Sequence, residues 1–97
     1  MPRKVNLKPN EISKLKSVFS RADNVKLYFV HAKLDPELYK YITVETKTRE
    51  YEITVNDVKE WNTVIVTIRQ MLNEKGFKRV LYIPSDPQFY EEYRKTK

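Results

Sequence analysis

Residues 50–83 read EYEITVNDVKEWNTVIVTIRQMLNEKGFKRVLYI, and the middle of this stretch decides what the rest of the chain must pack against. Val58, Trp61, Val64, Ile65, Ile68, Met71 and Leu72 recur every three or four residues, the spacing of one wide helical stripe. Asn56 and Asp57 supply capping oxygens and negative charge at its start, and Gly76 stands where a left-handed C-terminal cap belongs. The β-branched run over residues 63–68 alone favours a strand. The period and the caps overrule it, and a long helix is expected. Short β-branched and aromatic runs flank it at residues 50–55 and 77–83, so the stretch reads strand, helix, strand. Such a βαβ unit has a right-handed crossover.

Upstream, residues 39–46 predict a strand that pairs with 50–55. Setting Glu45 opposite Glu50 puts Val44 against Tyr51 and Ile42 against Ile53, which collects the hairpin's apolar side chains on one face. The connection through Lys47 and Thr48 contains no Gly or Asn, which disfavours a tight primed turn and favours a four-residue loop. Residues 25–34 predict a strand apolar on both sides, with His31 at the edge of its core. Asp35-Pro36 then predicts a single helical turn. Pro9-Asn10-Glu11 opens a helix over residues 10–22 whose Ile12, Leu15, Phe19 and Ala22 point inward. Residues 1–9 carry Arg3, Lys4 and Lys8 with only Val5 and Leu7 to bury, and read as a basic arm ahead of a single domain over residues 10–97. Downstream, Pro84 stops the strand, and Ser85-Asp86-Pro87 starts a last amphipathic helix carrying Phe89, Tyr90 and Tyr93.

The expected fold is α/β in the α+β sense. The order is α-β-β-β-α-β-α, with one mostly antiparallel four-stranded sheet and helices packed on it. The first and last strands, apolar on both sides, are placed at its centre. Ninety-seven residues fit one domain, and 40% apolar with 12% aromatic content is enough for an ordered core beneath 33% charged residues. The absence of Cys excludes disulfides, thiolate metal sites and Cys nucleophiles. No apolar run approaches the roughly 20 residues of a membrane span, and the start lacks a secretory signal, so a cytoplasmic protein without membrane contact or cofactor is expected.

The net charge is +6, from 19 basic and 13 acidic side chains. Residues 1–34 hold eight basic and two acidic ones, so the whole excess is N-terminal in sequence. On the first helix, Lys14, Ser17 and Arg21 share an outer stripe with Lys16 and Ser20 beside it, and Arg3, Lys4 and Lys8 lead into it. Lys and Arg among small hydroxyl residues suit phosphate contact, which holds a nucleic acid without reading its sequence. Arg3, Lys4, Lys8, Lys14, Lys16 and Arg21 are therefore the candidate nucleic-acid-binding residues. The plain alternative is a solvated helix face. A second reading is a protein–protein module, a homodimer through a sheet face that the helices leave bare. The seven tyrosines either complete the core or such a contact, or stack single-stranded bases.

A third reading starts from Asp35 followed by Glu45-Thr46-Lys47. This resembles the Asp plus Glu-x-Lys arrangement of restriction-endonuclease-like nucleases, in which two carboxylates hold magnesium and the lysine assists the attacking water. The alternative reading of Glu45, Glu50 and Glu52 is surface charge relieved by Lys47 and Arg49. The helix, three strands, helix order also resembles the double-stranded RNA-binding domain, without that family's Lys-rich start to the second helix. In composition and size the chain is similar to small uncharacterised proteins of viruses and plasmids of hyperthermophilic archaea. That likeness implies a compact, thermostable accessory protein that contacts DNA or other proteins.

Overall fold

A computed structural model describes residues 3–30, 40–55, 57–84 and 88–96. The expected long helix is α2, Val58–Glu74. The Asp57 carboxylate accepts the Glu60 backbone N–H at 2.7 Å, satisfying one of the free donors of the first turn. Its stripe from Trp61 to Leu72 is buried as the spacing requires, although Val58, in the first turn, stays 58% exposed. Gly76 ends the helical turn at φ +84°, a conformation that a side chain would strain.

The sheet has six strands: β1 (Arg3–Leu7), β2 (Asn24–Val30), β3 (Lys40–Glu45), β4 (Arg49–Val55), β5 (Phe77–Pro84) and β6 (Gln88–Lys95), in the spatial order β1-β4-β3-β2-β6-β5. β1 runs parallel to β4 and every other pairing is antiparallel. The hairpin register is the expected one, with Glu45 opposite Glu50, Val44 opposite Tyr51 and Ile42 opposite Ile53. Its connection is closed by Thr46, whose N–H donates to the Arg49 carbonyl at 2.8 Å and whose hydroxyl accepts the Arg49 N–H at 3.2 Å. No described residue other than glycine has a positive φ, so the turn is not a primed one.

Helix α1 (Leu15–Arg21) follows a 3-10 helix over Pro9–Lys14, so the expected first helix is tighter in its first half. The connections β1-α1-β2 and β4-α2-β5 each join parallel strands and step the same way along the sheet. Crossovers of one hand then place both helices on one face. The core agrees: Phe19 of α1, six residues of α2, and Val25, Leu27, Phe29, Ile42, Val44, Ile53 and Val55 of the sheet form one cluster. Among the described residues the opposite sheet face carries no helix, and no helix is long and apolar enough to cross a membrane.

Four expectations are corrected. Residues 3–7 are not part of an arm but form β1, because Val5 and Leu7 alternate with Lys4 and Asn6 and reach the core beside Tyr51 and Ile53. The last apolar run, expected at the centre, is the edge strand β5, exposed from Lys78 onward. The last helix is the strand β6, wedged between β2 and β5. Phe89, Glu91 and Tyr93 alternate inward there, and a glutamate in an inward slot hides the period of two. With two strands added the sheet is six-stranded and mixed, not four-stranded, and the described helices are α1 and α2. The end of the first predicted strand, His31, the Asp35-Pro36 turn, Asn56 and Ser85-Asp86-Pro87 lie outside the described residues.

Candidate nucleic-acid interface

Strand direction sorts the charge. β1, β2, β4 and β5 start at one end of the sheet, β3 and β6 finish there, and both helices run down to it. That end collects Arg3 and Arg49, which are register partners, Lys47 in the adjoining turn, and Arg21 at the end of α1. Lys75 and Lys78 flank Gly76, and Arg94 and Lys95 close β6. Among the described residues, these eight basic side chains meet two acidic ones at the very end, Asp23 and Glu74, with the Glu45–Glu50 pair one residue further in. Helix carbonyls at the ends of α1 and α2 favour cations at this end.

Of the eight, Arg94 is the one in an ion pair among the described residues, 3.1 Å from Glu92. Lys95 donates from Nζ to the Ser20 carbonyl at 2.8 Å and lies 5.4 Å over the Phe77 ring. Arg21, Asp23, Asn24, Lys47, Thr48 and Arg49 line an open cavity of about 550 Å³ between the end of α1 and the β3–β4 turn. The turn is fixed by Thr46 and by the Arg3 N–H, which donates to the Thr48 carbonyl at 3.2 Å. Asn24 donates to Glu92 at 3.0 Å while its Oδ1, buried, has no partner among the described residues.

The six residues expected from sequence do not form one stripe. Arg3 and Arg21 belong to the basic end. Lys4 lies on the helix-free face, 3.0 Å from Glu52. Lys14 is paired with Glu11 at 3.1 Å, and the Glu11 carboxyl is held below its ordinary range first by the Lys8 backbone N–H and then by Lys14. Lys8 sits at the far end of the 3-10 and α1 run, about 22 Å from Arg21 at the rises of the two helix types. Lys16 is exposed on α1. Reading by residue number missed Lys47, Arg49, Lys75, Lys78, Arg94 and Lys95. Each adjoins a turn or a strand end, but their common end is defined only once strand directions are known.

The helix-free face is different in kind. Tyr28 and Tyr90 pack with centroids 4.8 Å apart. Lys26, Glu45, Glu50 and Glu92 form the next row across the sheet. Lys26 Nζ is 4.0 Å from Glu45. Burial raises the Tyr28 pKa, and the fields of Glu45, Glu50 and Glu92 raise it further. The Tyr90 hydroxyl donates to Glu92 at 2.9 Å, the leading cause that holds the Glu92 carboxyl below its ordinary range, with Asn24 and Arg94 contributing. A carboxylate row beside the rings disfavours phosphates there. Of the nuclease-like set, Asp35 lies outside the described residues, Glu45 faces Lys26 on this side, and Lys47 belongs to the basic cavity. Among the described residues no three His, Asp or Glu side chains are grouped to hold a metal ion.

On the helix side, Glu91 of β6 is fully buried. It accepts from Arg69 of α2 at both oxygens, from the Tyr93 hydroxyl at 2.7 Å, and lies 3.5 Å from Arg79 of β5. Burial, followed by the bond to Glu91, pushes the Tyr93 phenol from 10.0 up to about 12. A raised tyrosine pKa favours folding fully below pH 10, and that contribution fades as pH climbs toward 12. Alkaline titration followed by circular dichroism is therefore expected to show stability falling above pH 10. Tyr93→Phe should flatten that fall, and an unchanged slope in the variant would contradict the assignment. No family model, curated protein or solved structure matches this chain.

Proposed function

We propose that this is a non-enzymatic binding protein that holds nucleic acid by its phosphate backbone, without base readout, through the basic end of the sheet. One observation carries the reading: among the described residues, eight basic side chains gather at one end of the fold, and of these Arg94 is the one in an ion pair. Backbone phosphates, spaced along a strand and screened only by mobile counterions, match a rigid row of such cations. The cavity between α1 and the β3–β4 turn offers Arg21, Lys47 and Arg49 to neighbouring phosphates of one strand. Compared with an arm and a helix face, this surface keeps Arg3 and Arg21 and recruits the strand ends in place of Lys8, Lys14 and Lys16.

The test is a salt titration of duplex and single-stranded DNA binding by fluorescence anisotropy. With four to six phosphates neutralised on duplex, log K is expected to fall with log salt at a slope of about −4 to −5. Unrelated duplex sequences should differ by less than about threefold. Absence of binding to either form at about 50 mM salt, where counterion release is strong, would defeat the proposal.

A further inference from the structure

We infer that β5 is a self-association edge, through which two copies of this chain pair antiparallel about a two-fold axis into one continuous sheet. The sheet has two edges, and they are built differently. β1 presents Arg3, Lys4 and Asn6, charges and an amide of the kind that keep an edge strand from pairing. β5 presents Val80, Leu81, Tyr82 and Ile83, which are 50, 41, 47 and 48% exposed. The exposed large hydrophobic residues among those described are these four and Val58 and Val66 of α2. Two-thirds of the exposed apolar bulk therefore sits in one tetrapeptide on an edge whose backbone is paired on one side, to β6.

A second copy is the occupant that the strand's own pattern selects. Leu81 and Ile83 stand on the helix-free side, opposite Glu92 and Tyr90 of β6, and Tyr82 stands on the helix side, opposite Glu91. An axis normal to the sheet keeps like faces together, so residues of equal parity must meet. Centring the axis on Tyr82 sets Tyr82 against its own counterpart and Leu81 against Ile83 twice. Leu81, Tyr82 and Ile83 are then each matched with an apolar side chain.

Charge favours the same arrangement. Lys78 and Arg79 of the two copies go to opposite ends of the new strand pair, whereas parallel pairing would bring two basic ends together. The bulge between Arg79 and Leu81 and Pro84 at the other end confine pairing to this short segment, which favours a closed dimer over a fibre. Four half-exposed side chains of this size present on the order of 300–400 Å² per copy, as much as the largest apolar patch of a typical monomer. Two copies with their paired backbone approach the roughly 1,000 Å² of a specific contact. If the nucleic-acid reading also holds, the two basic ends point away from each other, about 26 Å of strand apart, and the dimer is bivalent.

Sedimentation velocity of the full chain without nucleic acid reads the proposal independently of that function. A species of twice the 11.7 kDa chain mass is expected at micromolar concentration. Ile83→Lys should return it to the monomer with its thermal unfolding kept within a few degrees. The chain has no cysteine, so Tyr82→Cys tests the register alone: mild oxidation should cross-link it, while Val66→Cys, exposed on α2, should not cross-link. A wild-type monomer up to about 1 mM, a dimer that survives Ile83→Lys, or a dimer in which Tyr82→Cys does not cross-link would each overturn the assignment.

Discussion

Exchange of Arg69 for methionine is expected to remove about 3–5 kcal/mol of stability, the usual cost of leaving a buried charge without its partner. For a chain of 97 residues this corresponds to a fall in Tm of roughly 15–30 °C, measurable by calorimetry. Glu91 has no exposed surface, whereas the Arg69 side chain is 40% exposed. The two ends of the pair are therefore unequal. Without Arg69 the carboxylate keeps the Tyr93 hydroxyl and the more distant Arg79, and it has no path to water. Without Glu91 the arginines can still turn to solvent, so Glu91→Gln should cost less than Arg69→Met. The double variant Arg69→Met with Glu91→Leu leaves no buried charge unpaired, and should recover to within about 1–2 kcal/mol of the parent chain. Additive losses in the double variant would show that the two side chains do not act as a pair. The Phe29 ring, 5.7 Å below the Arg69 guanidinium, adds to what the arginine holds in place.

The second large effect concerns the basic end. Changing Arg21, Lys47 and Arg49 together to glutamine should weaken duplex binding about 100-fold at moderate salt and reduce the magnitude of the salt slope by about 3, near one for each lost phosphate contact. The matched change of Lys8, Lys14 and Lys16 to glutamine removes the same formal charge. It should move affinity less than about fivefold, because Lys14 is already paired with Glu11 and Lys8 stands at the far end of the helical run. Anisotropy titrations of both variants at two salt concentrations decide between the strand ends and the helix face. Equal losses would mean that net charge alone attracts the nucleic acid, with no preferred surface. All six positions are exposed, apart from caps and turns that the backbone makes, so stability should change by less than about 1 kcal/mol in either variant.

Several elements were legible before any coordinates. The stripe from Trp61 to Leu72, its Asp57 cap and the Gly76 stop define α2 by local spacing alone. The β3–β4 register follows from side-chain parity, because a slip of one residue would turn Val44 and Ile42 out of the core. β6 was not legible, since Glu91 occupies an inward position that only Arg69, Arg79 and Tyr93, from two other elements and from β6 itself, make tolerable. The position of β5 failed for a related reason. Its apolar run is the same whether β6 or solvent lies beyond it, and exposure at an edge depends on a neighbour's presence.

The candidate site divides in the same way. Composition set the magnitude of the charge, and local period set which side chains a helix turns outward. Neither states where a strand begins in space. Lys47, Arg49, Lys78 and Arg94 are separated in sequence by strands and a helix, and the mixed sheet order β1-β4-β3-β2-β6-β5 brings them to one end. Short-range periodicity thus determined the elements that pack through their own repeating faces. Strand order, which depends on contacts between distant residues, decided which edge is bare, which glutamate is buried, and which end of the molecule carries its charge.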